Sequence, residues 1–312
     1  MLVTIMTGMK QPIHYVNDSE PESSQCQPKA DGADEMPSRL EKMRRDAYLS
    51  KRGINTRQPI QMDLLFPGTG KNQRIMPNDF ARSALFTARN KSDARRTLVR
   101  EKLFHYNENI SIRYTGIELR AEDDELIWMQ ILQYGEGVPM GLPFEFSIKD
   151  LAIDIGWHKN GKYYDKVREC ISRISANEIL ILNEKAFGVS GRFSLIKDYK
   201  SLNDAQGKQA HYRVWIDPNM IVLFAGNTFA RHAWDIYRKL SPVARRLADY
   251  VVSHQQPFPL PLEKFRRMCD SSDSSLSGWR RTVRGACVEI QDAGIVDLAL
   301  LGDSDNIHCK RS

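Results

Sequence analysis

FEFSIKDLAIDIGWHKNGKYYDKVRECISRISANEI, Phe144 to Ile179, reads as a helix, a turn and a second helix. Ser147 can cap the first helix, Leu151, Ile153 and Ile155 give it apolar contacts, and Gly156 can end it at a position tolerant of positive φ. The second helix restarts near Gly161. At about 100° per residue, Tyr163, Val167, Cys170, Ile171 and Ile174 gather on one face, with Lys162, Tyr164, Lys166, Arg168, Ser172 and Arg173 around the rest. An apolar stripe backed by a basic, hydroxyl-bearing exterior is what a DNA-reading helix requires. The short runs EILIL, RFSLI and YRVWI follow, separated by polar loops, and read as the strands of a wing.

The arrangement recurs in the last third of the chain. Ser241-Pro242 is a cap followed by proline at the first helical turn, and Leu240, Val243, Leu247 and Val251 stripe the helix it opens. A short helix over Leu262 to Met268 is followed by a serine-rich turn and a long helix from about Leu276 to Ala293. In that helix Trp279, Val283, Ala286, Cys287 and Ile290 share one face, and Ser277, Arg280, Arg281 and Arg284 another. Arginine suits base reading because its planar fork can bond two guanine acceptors at once. IVDLALL and NIHCK then read as a second wing. The expected fold is α+β and mainly helical, with two tandem winged-helix domains at 104–227 and 228–312. The candidate DNA-contacting residues are Lys159, Lys162, Tyr164, Lys166, Arg168 and Arg173 in the first domain, and Ser274, Ser275, Ser277, Arg280, Arg281 and Arg284 in the second.

Upstream, residues 17 to 38 are acidic and nearly free of large apolar side chains, so they bury too little surface to offset the entropy of ordering. Region 1–58 is therefore expected to be disordered, acidic first and then basic from Arg39 to Arg57. Residues 59–103 read as a linker with a second basic stretch from Arg82 to Lys102, either a solvated surface or a set of phosphate contacts. Within the linker, Gln61-Met62-Asp63-Leu64-Leu65-Phe66 carries large apolar residues that either pack on the first domain or enter a partner's groove.

The 312 residues carry 45 basic and 39 acidic side chains, a net charge of +6, which suits a polyanionic partner without establishing one. Five widely spaced cysteines form no zinc pattern and fit a reduced cytosolic chain. Asp123 and Asp124 read as a helix start rather than metal ligands, and His158 and His232 have no partners at ligand spacing. Pro67 to Lys71 imitates a phosphate loop, but Leu65 and Asn72 stand where such a loop needs glycine and a hydroxyl. Tyr163 and Tyr164 lack the His-x-His pair of a nicking centre. The expectation is a non-enzyme with no metal and no cofactor. There is no signal-peptide pattern, and charges interrupt every apolar run short of the about eighteen residues that span a bilayer, so no membrane role is expected.

MPNDFARSALFTARNK (Met76 to Lys91), YTGIELRAEDDELIW (Tyr114 to Trp128), GWHKNGKYYDK (Gly156 to Lys166), VLFAG (Val222 to Gly226) and YRKLSPVARRLADY (Tyr237 to Tyr250) resemble the TrfA family of broad-host-range plasmid initiators. The similarity covers roughly residues 60 to 311, and nothing before about residue 58 matches. The resemblance implies two winged-helix domains that read iterons, the directly repeated duplex sites of a plasmid origin. It also implies origin opening, contact with single-stranded origin DNA, and recruitment of the replicative helicase with DnaA. Gln61, Met62, Leu64, Leu65 and Phe66 occupy the place of the family's peptide for the β sliding clamp. Dimerisation with an active monomer is a further implication. Leu276, Ser277 and Gly278 stand where further basic residues are expected, so the repeat read by this chain differs from its relatives'. A winged-helix transcriptional repressor or autorepressor is the alternative function; it needs the same helices but no clamp peptide.

Overall fold

A computed structural model of the chain describes residues 70–139, 141–183, 189–203, 209–224 and 228–311. The N-terminal region 1–58 and the peptide Gln61 to Phe66 lie outside the described residues. The first elements fall where a linker was expected. β1 (Gln73–Pro77) buries Ile75 and Met76, and helix α1 (Asn78–Ala81) buries Phe80. β2 (Phe86–Thr87) is followed by β3 (Thr97–Leu103), which pairs antiparallel with β4 (Ile110–Ile117). The linker reading of 59–103 is thus corrected from residue 73 onward. Abundant arginines hide a sparse apolar set, Ile75, Met76, Phe80, Leu85 and Phe86, all of which the fold removes from water.

β5 (Leu119–Arg120) lies parallel to β2, and helix α2 (Asp124–Tyr134) starts where Asp123 accepts a hydrogen bond from the Asp124 N–H. Every residue from Asp124 to Leu132 is buried, and Trp128 has the Phe80 and Phe86 rings at 5.6 and 5.8 Å. After β6 (Phe144–Ser147), Ser147 caps α3 (Ile148–Asp154) by accepting from the Asp150 N–H at 2.9 Å. Gly156 takes φ +85° in the turn, and Asn160 caps α4 (Gly161–Ser175) by accepting from the Tyr163 N–H at 3.1 Å. β7 (Glu178–Asn183) and β8 (Val189–Phe193) complete an antiparallel sheet of order β3-β4-β7-β8. β9 (Asp198–Asn203) and β10 (Gln209–Trp215) join β6 in the order β6-β10-β9. EILIL lies in β7 and all of YRVWI but Ile216 in β10, and the two strands belong to different sheets rather than to the single wing expected. Of RFSLI only Arg192 and Phe193 are in a strand, and Leu195 and Ile196 are buried beyond its end. β9 is too polar to announce itself by an apolar run.

After a 3-10 helix (Pro218–Phe224), β11 (Phe229–Ala233) returns to pair antiparallel with β1. Helix α5 (Trp234–Tyr237) leads to α6 (Pro242–Val252), capped by Ser241. β12 (Leu260–Pro261) and α7 (Leu262–Cys269) precede α8 (Leu276–Asp292), where Ser275 accepts from the Gly278 N–H at 3.2 Å. Trp279, Val283, Ala286, Cys287 and Ile290, the expected inner face, are all buried. β13 (Leu298–Leu301) and β14 (Asn306–Lys310) pair antiparallel in a sheet of order β12-β14-β13. Fourteen strands beside eight α-helices among the described residues make the fold mixed, with more strand than the mainly helical expectation. None of those helices is long and apolar enough to cross a membrane.

One buried network joins these parts. Arg246 of α6, wholly inaccessible, donates to Glu125 of α2 at 3.2 Å and to Asp249 at 2.6 Å. It also donates to the carbonyls of Phe80, Ala81 and Ser83 at 3.2, 3.1 and 2.6 Å. The Tyr237 hydroxyl donates to Asp249 at 2.9 Å, and His232 Nε2 lies 3.0 Å from the same carboxylate. Burial, with Asp249 beside it, pushes the Glu125 carboxyl up to about 8. Burial also works against the Asp249 charge, but His232 and Arg246 outweigh it and hold that carboxyl low. One cation thus faces one firm anion and one easily protonated acid. Arg246→Met is expected to lower unfolding free energy by about 3–5 kcal/mol, because it strands Asp249 in a dry interior. Urea denaturation would reveal this, and a midpoint within error of the unaltered chain would refute the network's role.

Candidate nucleic-acid interface

α4 packs on α2 and α8 on α6, so each apolar stripe faces its own half of the core and fixes which side chains point outward. On the first unit, Lys159 and Lys162 are exposed, one in the turn and one in the opening turn of α4. Lys166 is half-buried, 3.4 Å from Asp123 and 4.6 Å over the Trp157 ring. Arg168 pairs with Asp165 at 2.7 Å along the helix surface. The expectation that Tyr163 joins the buried stripe while Tyr164 faces out is corrected. Both rings are half-buried, but Tyr164 packs against the core, whereas Tyr163 lies 5.5 Å from Trp157 at the turn. The two residues straddle the centre of the stripe, so periodicity alone does not separate them.

Arg173 was expected outside and turns inward. It donates to Asp124 at 3.0 Å, and Arg95 bonds the same carboxylate at 2.7 Å and Asp123 at 2.7 Å. Asp123, Asp124 and Cys170 place potential ligand atoms within 4.8 Å of one another. Burial, with Asp123 alongside, pushes Asp124 up to about 6. Burial also opposes the Asp123 charge, but Arg95 and Lys166 outweigh it and keep that carboxyl low. Burial raises the Cys170 thiol well above its ordinary range. Two guanidiniums hold the carboxylates and the sulfur keeps its proton, so the cluster is a neutralised ion-pair network.

The second unit keeps more of its charge outside. Ser274, Ser275 and Ser277 are exposed at the start of α8, with the Ser275 and Ser277 hydroxyls 2.8 Å apart. Arg281 and Arg284 are exposed. Arg280 instead bonds Asp305, which sits at φ +56° in the turn between β13 and β14, with Nε 2.8 Å from Oδ1. The bond holds the Asp305 carboxyl below its usual range and the guanidinium above its own. Arg280 therefore ties the helix to the hairpin.

The basic stretch before β4 is largely engaged within the protein. Arg89 and Arg96 lie 3.7 and 3.1 Å from Glu118, which is 1% exposed, and Arg96 also pairs with Asp270. Arg82 bonds the Ser253 hydroxyl at 3.0 Å. Lys91, Arg100 and Lys102 remain exposed. Sequence reasoning also missed Arg238 and Arg245, which flank the start of α6. Two arginines around an apolar stripe gave no sign that Arg238 reaches Gly156 in the turn after α3 or that Arg245 lines the same cleft.

A family model described as TrfA protein matches residues 29–311, which carries the similarity upstream of the residue 60 expected. The plasmid replication initiator protein TrfA of Escherichia coli is 45% identical over 238 residues, 76% of this chain and 62% of that protein. The match thus spans less than two thirds of that relative's length. A crystal structure of selenomethionine derivatives of domains 2 and 3 of RctB has a TM-score of 0.50 at 12% identity, covering 69% of this chain and 85% of the other. A second structure of RctB domains 2-3 has a TM-score of 0.46 at 13% identity, covering 72% and 92%. At such identity the first likeness concerns the fold alone.

The inward turn of Arg173 separates it from its helix neighbours. Arg173→Ala is expected to cost about 1–3 kcal/mol, since Asp124 loses a bond where water cannot replace it. Lys162→Ala should stay within about 0.5 kcal/mol. Thermal or chemical unfolding of the two variants would check this, and equal stabilities would place Arg173 outside the network.

Proposed function

The chain belongs to the TrfA family, and we propose that it is a plasmid replication initiator that binds iterons at its origin through two winged-helix units and acts by binding alone. The observation that carries this reading is α8, whose inner face is fully buried while Arg281, Arg284 and Ser277 stay in water beside the β13–β14 hairpin. Side chains on such a face reach base edges in a major groove, and exposed lysines such as Lys159 and Lys162 supply salt-dependent phosphate contacts. α3, its turn and α4 form the companion unit, so one repeat is read by two helices. Binding in turn opens the origin and engages one melted strand. DnaA and the replicative helicase then join, with the β sliding clamp taken by Gln61, Met62, Leu64, Leu65 and Phe66. The chain works in the bacterial cytoplasm, and dimers that dissociate to active monomers belong to the same proposal.

The test is replication itself. An origin plasmid is placed in a strain that cannot otherwise replicate it, with this gene supplied in trans. The unaltered chain should maintain the plasmid. Arg281→Ala with Arg284→Ala should abolish maintenance and weaken binding to an origin fragment, each arginine that reads a base being worth about 1–3 kcal/mol. Plasmid loss despite intact origin binding would favour the repressor. The peptide is tested separately: Leu65→Ala with Phe66→Ala should lose capture by purified clamp yet bind the origin fragment normally, and undiminished capture would reject the assignment.

A further inference from the structure

A cleft of about 540 Å³ opens where the turn after α3 meets the start of α6. Its wall on the α3 side is Ile155, Gly156 and Trp157, and its opposite wall carries Arg238, Lys239 and Arg245. Arg245 is 3% exposed, and its Nε has no hydrogen-bond partner among the described residues. No carboxylate lies within ion-pair distance of Arg245 among the described residues, since Glu125, whose charge it favours from farther off, bonds Arg246 instead. A buried guanidinium without a counter-ion is costly, and the cleft is the direction from which one can arrive. Arg238 adds a second cation. Its Nη2 lies 3.1 Å from Asp235, while its Nε is buried without a partner. A Cβ at Gly156 would stand 2.8 Å from Arg238 Nη1, so glycine there lets the guanidinium lie across the turn. The acids nearby are few. Glu122 lines the cleft, Asp235 holds Arg238 from outside it, and Glu289 accepts from the Ser241 N–H and hydroxyl at 2.6 Å each. Glu289 thus occupies the start of α6, and Arg245 and the exposed Lys239 face the opening.

We propose that this cleft binds a phosphate of the DNA backbone, with Arg245 as its central cation and Arg238 and Lys239 beside it. The proposal rests on the DNA-binding reading and deepens it. Guanidinium groups bond phosphate oxygens in pairs, which favours a phosphate over a side-chain amide or hydroxyl. The location favours the DNA backbone as the source. Trp157 lines the cleft and carries Lys166 of α4 on its ring, and Lys159 and Lys162 extend from the same turn into water. A strand whose groove receives α4 passes this turn. Such a contact sets where the helix stands on the duplex and conveys no base preference.

The experiment uses the full chain and Arg245→Met, which keeps the length of the side chain and removes its charge. Because Arg245 makes no ion pair within the protein and acts on Glu125 only from a distance, the variant should melt close to the temperature of the unaltered chain. It should bind an origin fragment and unrelated duplex more weakly by the same factor. Its plot of log affinity against log salt should be shallower by about 0.9, the slope of one phosphate. Inorganic phosphate at constant ionic strength should raise the melting temperature of the unaltered chain and leave that of the variant unchanged. A clear fall in melting temperature with an unchanged salt slope would make Arg245 a structural partner of Glu125 and overturn the proposal. A phosphate-dependent shift with an unchanged salt slope would assign the cleft to a free anion and overturn the DNA source. Should Arg245→Met fail to fold, Lys239→Ala with Arg238→Gln gives the same salt-slope comparison, and an unchanged slope there refutes the site. An unaltered chain that binds no duplex at all instead refutes the function on which the site rests.

Discussion

Arg246 carries a full positive charge with no access to water, and its ligands come from three distant parts of the chain. Phe80, Ala81 and Ser83 supply carbonyls, Glu125 comes from the helix under α4, and Asp249 comes from the helix under α8. Stripping an ion of water costs several kcal/mol, so the arrangement is stable only when all of these groups are present together. His232 and Tyr237 complete Asp249 from β11 and α5, and the β1–β11 pairing brings the first and last strands of the same region together. The two helix–turn–helix units therefore share one hydrophobic core. Under the proposed function their helices meet DNA already set relative to each other, which reduces the ordering needed on binding.

The same demand for internal partners governs how much of the basic charge is free. Arg89, Arg95, Arg96, Arg173 and Arg246 all face carboxylates within the fold. A count of lysines and arginines in the sequence consequently overstates the phosphate contacts open to the protein. Lys159 and Lys162 at one helix and Arg281 and Arg284 at the other remain outside, and so do Lys91, Arg100, Lys102 and Lys239, so the exposed positive charge is spread beyond the two helix faces.

This division also explains what could be read in advance. Caps and helix faces depend on residues three or four apart, and Ser147, Ser241, Trp279, Val283 and Ile290 are where spacing puts them. Arg173 sits on the same kind of wheel, but its position is decided by Asp124, 49 residues upstream. Glu118 is likewise buried under arginines from the preceding segment, and one acid within IELR gives no local sign of that. Periodicity reports which side of a helix meets the core. It does not report whether a charged residue at the border of that side finds a counter-charge beneath it.

The two helices consequently differ in kind although their patterns match. On α4, Lys166, Arg168 and Arg173 each have an acid within the protein, so that helix is anchored at its base and leaves chiefly the cations of its first turn unpaired. On α8 only Arg280 is so engaged, and its partner Asp305 lies in the hairpin turn. That bond neutralises the Asp305 carboxylate and fixes the hairpin against the helix. Under the proposed function, sequence choice falls mainly on Arg281 and Arg284, while α4 and the turn before it set position on the duplex. Leu276, Ser277 and Gly278, where basic residues were expected, then bear on the choice of repeat, because they open the helix to which the proposal assigns that choice.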